Sequence, residues 1–357
     1  MTGSPQHLAS SAQLGPLLEG YSAADVVLLA AHALRVGSLD YALAICESRE
    51  DDEEPALLLT RAAALFGLGR TEPAIELVER VRERAPEHLA AKFYRAQMAQ
   101  QAGDQATASA LLLEVVERFP DFPGAMGTLA TLRMPGPPYR DVLRRVHELL
   151  APKSYLEIGV ESGATLALAR GAQRVIGVDP DDSKLQRNRL PPQTRFFATT
   201  SDAFFAEHTP VELLGEHRLD LGYIDGMHWF EYALRDFINV EAWSSPSGTI
   251  VLHDCLPLVP LTASRERRSR FWVGDVWKLV CILRELRPDL RIKIIATAPS
   301  GLCVVRGLDP SSRVLAEALP AVVERYRALP YPAPAFELPE GFELVPASEE
   351  GVQAALA

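Results

Sequence analysis

From Ser154 to Gly307, apolar runs of strand length alternate with helical patterns, and that alternation constrains the fold more than any other feature. "SYLEIGV", "RVIGVD", "TRFFATTS", "LDLGYID" and "GTIVLHD" read as strands. "GATLALARGA", "WFEYALRDFINVEAW" and "VWKLVCILREL" read as helices, and "RIKIIAT" and "GLCVVRG" as two closing strands around the turn "APSG". Strands alternating with helices imply an α/β fold, a parallel sheet covered on both faces. Ligands of such sheets bind at the carboxyl ends of the strands. The Gly159 turn, Asp179, Asp202, Asp225 and Asp254 all fall at expected strand ends, which places one site there.

The stretch "SYLEIGVESGATLALARGAQRVIGVDPDD" suggests a nucleotide-type cofactor, and its residue order discriminates among them. A Walker loop needs Gly-Lys-Ser/Thr to hold phosphates, and the chain has none. The dinucleotide fingerprint GxGxxG lets a pyrophosphate approach the backbone. Here the order is Glu157, Gly159, Glu161, Gly163, so a glutamate replaces the second glycine and another acid precedes the turn. Two carboxylates repel a pyrophosphate and favour a cation. S-adenosylmethionine carries a sulfonium and an ammonium and no phosphate, so the turn suits it better than a nicotinamide dinucleotide. Asp179, at the end of the second strand, has the position of an acid that takes ribose hydroxyls in either cofactor class.

"LEIGVESGATLALA", "VIGVD", "LDLGYIDGMHWFEYALRDFI" and "GTIVLHD" together resemble a class I S-adenosylmethionine-dependent methyltransferase. More narrowly, they resemble its small-molecule O-methyltransferase group with IDGxH and HD motifs. The resemblance covers about residues 150 to 307. It implies a Rossmann-like domain with a mostly parallel seven-stranded sheet and an antiparallel last strand. It assigns Glu157, Gly159 and Gly163 to the methionine end of S-adenosyl-L-methionine and Asp179 to the ribose, with Glu161 and Ser162 as further cofactor-binding candidates. Ser201 and Asp202 go to the adenine surroundings, and Asp225 also faces the cofactor. The implied activity is methylation of a small-molecule hydroxyl, such as a sugar or natural-product scaffold. A neutral alcohol is a poor nucleophile, so its proton must be removed or masked. His228 and Asp225 are the candidate catalytic pair, with His228 as base. Asp225, His253 and Asp254 are candidate ligands for Mg2+ or another divalent cation, which would lower the hydroxyl pKa. Related macrolide-sugar O-methyltransferases hold magnesium with acids matching Asp225 and Asp254, and have a further acid where His253 stands. Trp272 and Trp277 flank "VGD", where they either shape an acceptor pocket or pack in the core.

The first third of the chain repeats itself. Gly37, Gly69 and Gly103 recur at intervals of 32 and 34 residues, each followed five residues later by alanine: Ala42, Ala74 and Ala108. Pro86 and Pro120 are also 34 apart. Each unit reads as two helices bent at a glycine, with alanine where they cross. The period resembles the tetratricopeptide repeat over about residues 24 to 121. Expected domains are therefore a helical repeat domain over 1–134 and a linker with a lead-in helix over 135–150. A methyltransferase domain over 151–310 follows, and then a C-terminal helix and Pro-rich tail over 311–357. Such repeats present surfaces to partners, so they suggest a homo-oligomer or a protein partner. An alternative follows from this: an interaction or scaffold protein that retains the methyltransferase fold for structure. The run "EDDEE", Glu50 to Glu54, reads as a solvated loop.

Composition narrows the partners. The net charge of −11 and pI near 5.3 argue against a nucleic-acid binder, which needs a basic face. "SRERRSR", Ser264 to Arg270, is the best local candidate, and the favoured reading of it is a solvated or substrate-facing loop. Four cysteines without a CxxC spacing suggest reduced thiols. The N-terminus shows no signal-peptide pattern and no stretch reaches membrane-span length, so a cytoplasmic protein is expected.

Overall fold

The alanine and glycine positions of the repeats become helix crossings and bends in the computed structural model, which describes residues 10–49, 51–332 and 342–357. Residues 1–9 of the N-terminus in which no signal-peptide pattern was read, Glu50 of the acidic run and residues 333–341 of the Pro-rich tail lie outside the described residues. The chain divides into two compact units, residues 1–128 and 129–357.

The first unit is helical: α1 (Ser11–Leu18), α2 (Ala23–Arg35), α3 (Leu39–Glu47), α4 (Pro55–Gly67), α5 (Thr71–Arg84), α6 (Leu89–Gln101) and α7 (Gln105–Arg118). The unit boundary falls within α8 (Ala125–Arg133). Three antiparallel pairs, α2–α3, α4–α5 and α6–α7, each turn at one of the three spaced glycines. These glycines have φ of 78°, 77° and 82°, a conformation glycine adopts without steric cost. Ala42, Ala74 and Ala108 are fully buried, because a methyl is the largest side chain a close helix crossing admits there. Local chemistry agrees with the helix starts. Ser22 and Asp25 form a reciprocal capping box on α2, and Asp104 accepts the Thr107 N–H on α7.

The second unit continues through α9 (Tyr139–Leu150) into the sheet. Its strands are β1 (Ser154–Ile158), β2 (Arg174–Val178), β3 (Thr194–Phe197), β4 (Leu219–Ile224), β5 (Ser244–His253), β6 (Arg291–Ala296), β7 (Leu302–Arg306) and β8 (Leu344–Pro346). Its remaining helices are α10 (Ser201–Glu207), α11 (Pro210–Leu214), α12 (Phe230–Trp243), α13 (Trp277–Leu286), α14 (Val314–Arg327) and α15 (Glu349–Leu356). The sheet order is β3-β2-β1-β4-β5-β7-β6-β8. β1 to β5 pair in parallel, and β7 runs antiparallel to both β5 and β6. The parallel part of the sheet is as expected from the alternation, and the antiparallel seventh strand as the resemblance implies.

Two expectations are corrected. The sheet has eight strands rather than seven, because Leu344–Pro346 adds to β6 in parallel at the sheet edge. A short edge strand ending in proline gives little sequence signal, since proline there loses no ladder donor. "GATLALARGA" forms no α-helix; only the three-residue 3-10 turn Leu166–Leu168 is present. Glu161 (φ 46°) and Gly163 (φ 78°) hold left-handed turns, and a helix cannot propagate from them.

The core cluster of this unit lies on one sheet face, where Tyr155, Leu221, Tyr223, Val251 and Val304 pack against α9 and α15. No helix among the described residues is long and apolar enough to cross a membrane.

Candidate active site

Parallel pairing in register brings the strand ends level. Ile158 pairs with Val178 and Ile224, and Ile224 with Leu252. The next residues, Gly159, Asp179, Asp225 and, one further, Asp254, therefore emerge along one edge of the sheet. The Gly159 N–H donates to Val178 O at 2.9 Å, and the Asp225 N–H to Ile158 O at 2.8 Å. A Cβ on Gly159 would lie 2.0 Å from the Asp225 carbonyl oxygen, so glycine is required for the β1 and β4 ends to meet.

At the ends of β4 and β5, four titratable side chains converge and line one cleft with Met227, Ala233 and Val276. His253 Nδ1 lies 3.2 Å from Asp225 Oδ1 and 3.4 Å from Asp254 Oδ1. His228 Nε2 lies 3.0 Å from Asp254 Oδ2 and 3.7 Å from Asp225 Oδ1. Tyr223 OH donates to Asp225 Oδ2 at 3.2 Å. One donor atom from each of Asp225, His253 and Asp254 fits within 4.8 Å of the others. That spacing and donor chemistry suit an oxygen-preferring divalent cation with one imidazole ligand.

Electrostatics bind the four together. Burial disfavours charge on His228, but Asp254 and Asp225 outweigh it and raise its pKa to about 9. Burial likewise opposes the charge on His253, and the same two carboxylates raise its pKa well above the ordinary value. Burial also disfavours the Asp225 anion, yet the two imidazoles hold its pKa well below the carboxylate range.

His228 is fixed by a neighbourhood the sequence did not reveal. Its Nδ1–H donates to Trp272 O at 3.0 Å, and its ring stacks on Trp272 at 5.1 Å. The Asp275 N–H donates to His228 O at 3.1 Å. Asp275 is buried: its carboxylate accepts the Phe230 N–H at 2.8 Å, Lys278 at 2.9 Å and Arg265 at 2.8 Å. Arg265 also pairs with buried Glu231 at 2.6 Å. In "SRERRSR", then, Arg265 ties the loop to α12, while Arg268 pairs with its neighbour Glu266. "VGD" before α13 was the visible hint of Asp275; nothing local marks Arg265 as its partner.

The cofactor candidates lie on the neighbouring strand ends. Asp179 is half-exposed and accepts the N–H groups of Glu161 and Asp181 at 2.8 and 2.9 Å, which leaves lone pairs on both oxygens. Glu161 is exposed and pairs with Lys184 at 3.0 Å. Gly163 is buried, and Ser162 O accepts the Gln186 N–H at 3.1 Å. Glu157 is fully buried and points into the core, accepting from Tyr155 OH at 2.7 Å and Thr165 Oγ1 at 2.6 Å. Ser201 and Asp202 start α10 and are tied to α12: Asp202 pairs with Arg235 at 2.7 Å, and Ser201 bonds Asp236. Trp277 is buried, whereas Trp272 borders the site.

Residues 156–255 match the family model described as a methyltransferase domain. The match is less than half of the chain, and it runs from β1 to just past Asp254, so it contains every sequence-predicted site residue. No curated protein matches. Among solved structures, similar ones include the O-methyltransferase TomG from Streptomyces achromogenes, involved in tomaymycin synthesis and solved with SAM. It is 13% identical, with 55% of this chain and 95% of that one covered and a TM-score of 0.38. The O-methyltransferase from Bacillus cereus, solved with SAH, is 12% identical, with coverages of 57% and 99% and a TM-score of 0.38. A Podospora anserina methyltransferase, solved with SAH, is 15% identical, with coverages of 56% and 88% and a TM-score of 0.39.

Proposed function

We propose that the second unit is an S-adenosylmethionine-dependent methyltransferase that methylates a hydroxyl of a small molecule, such as a sugar or natural-product scaffold, with a divalent cation at Asp225, His253 and Asp254. The convergence of Asp225, His228, His253 and Asp254 beside the Gly159 turn carries this reading.

When bound, S-adenosylmethionine supplies a sulfonium methyl open to in-line displacement, and the cation lowers the pKa of a hydroxyl. Asp179 offers its remaining lone pairs to ribose hydroxyls. His228 has Nδ1 committed to a carbonyl, so it exchanges protons only at Nε2, on the Asp254 side. The carboxylates that keep this proton on the ring at neutral pH must be neutralised before the ring can act as a base. Base and cation are therefore linked in this reading. The helical pairs of the first unit remain a candidate surface for a second copy or a protein partner.

Calorimetric titration with S-adenosylhomocysteine tests the cofactor assignment, with NADH as comparator. Binding of S-adenosylhomocysteine alone is expected. Binding of NADH alone refutes the proposal.

A further inference from the structure

Ser300, in the "APSG" turn between β6 and β7, was given no role by the sequence, yet it is fully buried against the candidate cation ligands. Its Oγ lies 2.5 Å from Asp254 Oδ1 and 3.3 Å from His253 Nε2. The proton count on this short chain has one solution. Ionised Asp254 only accepts, so the Ser300 hydroxyl proton goes to it. Ser300 Oγ then has lone pairs alone to offer His253, so His253 Nε2 carries a hydrogen and donates. With Nε2 held as the donor to Ser300, Nδ1 is the nitrogen left facing Asp225 and Asp254, where the cation would sit. Asp254 itself holds a left-handed backbone (φ 59°), and the Ser300 bond fixes which way its carboxylate turns. The Leu256 N–H donates to Ser300 O at 2.8 Å, which anchors the serine to the segment following Asp254.

We propose that Ser300 is a positioning residue that sets the His253 tautomer and the Asp254 orientation for a divalent cation, an inference that rests on the cation reading above. Partners that orient metal ligands in this way contribute about 10- to 100-fold to metal affinity. The test is calorimetric titration of the full chain with Mn2+, comparing wild type with Ser300→Ala, each checked for folding by tryptophan emission. A loss of about 10- to 100-fold in Mn2+ affinity is expected. Undiminished affinity in a folded Ser300→Ala overturns the role of Ser300 alone. Absence of Mn2+ binding by the wild type overturns the cation reading, and this inference with it. If Ser300→Ala does not fold, nitrogen NMR of histidine-labelled wild type with Mg2+ decides. A bare Nδ1 and protonated Nε2 on His253 is expected, and the opposite tautomer refutes the assignment.

Discussion

Gly159→Ala should cost the second unit about 2–5 kcal/mol and disturb the site at the same time. The added methyl would stand 2.0 Å from Asp225 O and 2.8 Å from Gly226 Cα. Carbon–oxygen contacts settle at about 3.3 Å or more, so the β1 and β4 ends must part by roughly an ångström. Both sides are pinned by backbone hydrogen bonds, to Val178 O and from the Asp225 N–H, so neither yields freely. Overpacking of this kind costs about 1–3 kcal/mol, and alanine at the glycine's φ of 85° adds about 1–2 kcal/mol. Gly163→Ala is the control. Its φ is 78°, but its methyl meets the mobile end of Leu190 at 2.8 Å, so the backbone term of about 1–2 kcal/mol should dominate. All four tryptophans, Trp229, Trp243, Trp272 and Trp277, lie in the second unit. Urea unfolding followed by tryptophan emission therefore reports that unit without the helical pairs. If Gly159→Ala is no more destabilising than Gly163→Ala, the contact argument fails.

Asp179→Ala should weaken S-adenosylhomocysteine binding about tenfold or more, the scale of a hydrogen bond to a charged group; unchanged affinity by calorimetry removes its ribose role. His228→Ala should keep that affinity and lower methyl transfer by roughly 10²-fold once an acceptor is in hand, and full turnover would eliminate the base. Buried His147 packs edge-on against Tyr155 at 4.7 Å, and burial lowers its pKa to about 4. The unfolded chain protonates this residue first, so stability is intact above about pH 6.5 and falls as pH drops toward 4, by about 3 kcal/mol. His147→Phe should flatten that acid limb in urea titrations at several pH values; an unchanged slope would place the acid sensitivity elsewhere.

The parts of the site that the sequence exposed are those on which a single strand carries both fold and chemistry. Asp179, Asp225 and Asp254 each follow an apolar run that becomes a parallel strand, and parallel pairing alone carries them to one edge. Gly37, Gly69 and Gly103 were legible for the same reason, since a left-handed bend between two helices is a local demand. Glu157 shows where this reasoning stops. Its place in the motif suggested a side chain facing the cofactor, but its partners, Tyr155 and Thr165, lie on its own side of the core and draw both oxygens inward.

What stayed hidden is held by pairs distant in sequence. Ser300 meets Asp254 across 46 residues and Asp275 meets Phe230 across 45, and no periodicity encodes such a meeting. The loop from Ser264 to Asp275 illustrates the consequence. Read as composition, it is a basic surface; read as structure, its first arginine is spent on Glu231 and Asp275. That anchoring delivers the Trp272 carbonyl to His228. The His228 tautomer thus depends on Arg265, which touches neither ring nitrogen, just as the His253 tautomer depends on Ser300. In both histidines, the nitrogen left for chemistry is chosen by what the other nitrogen is made to hold.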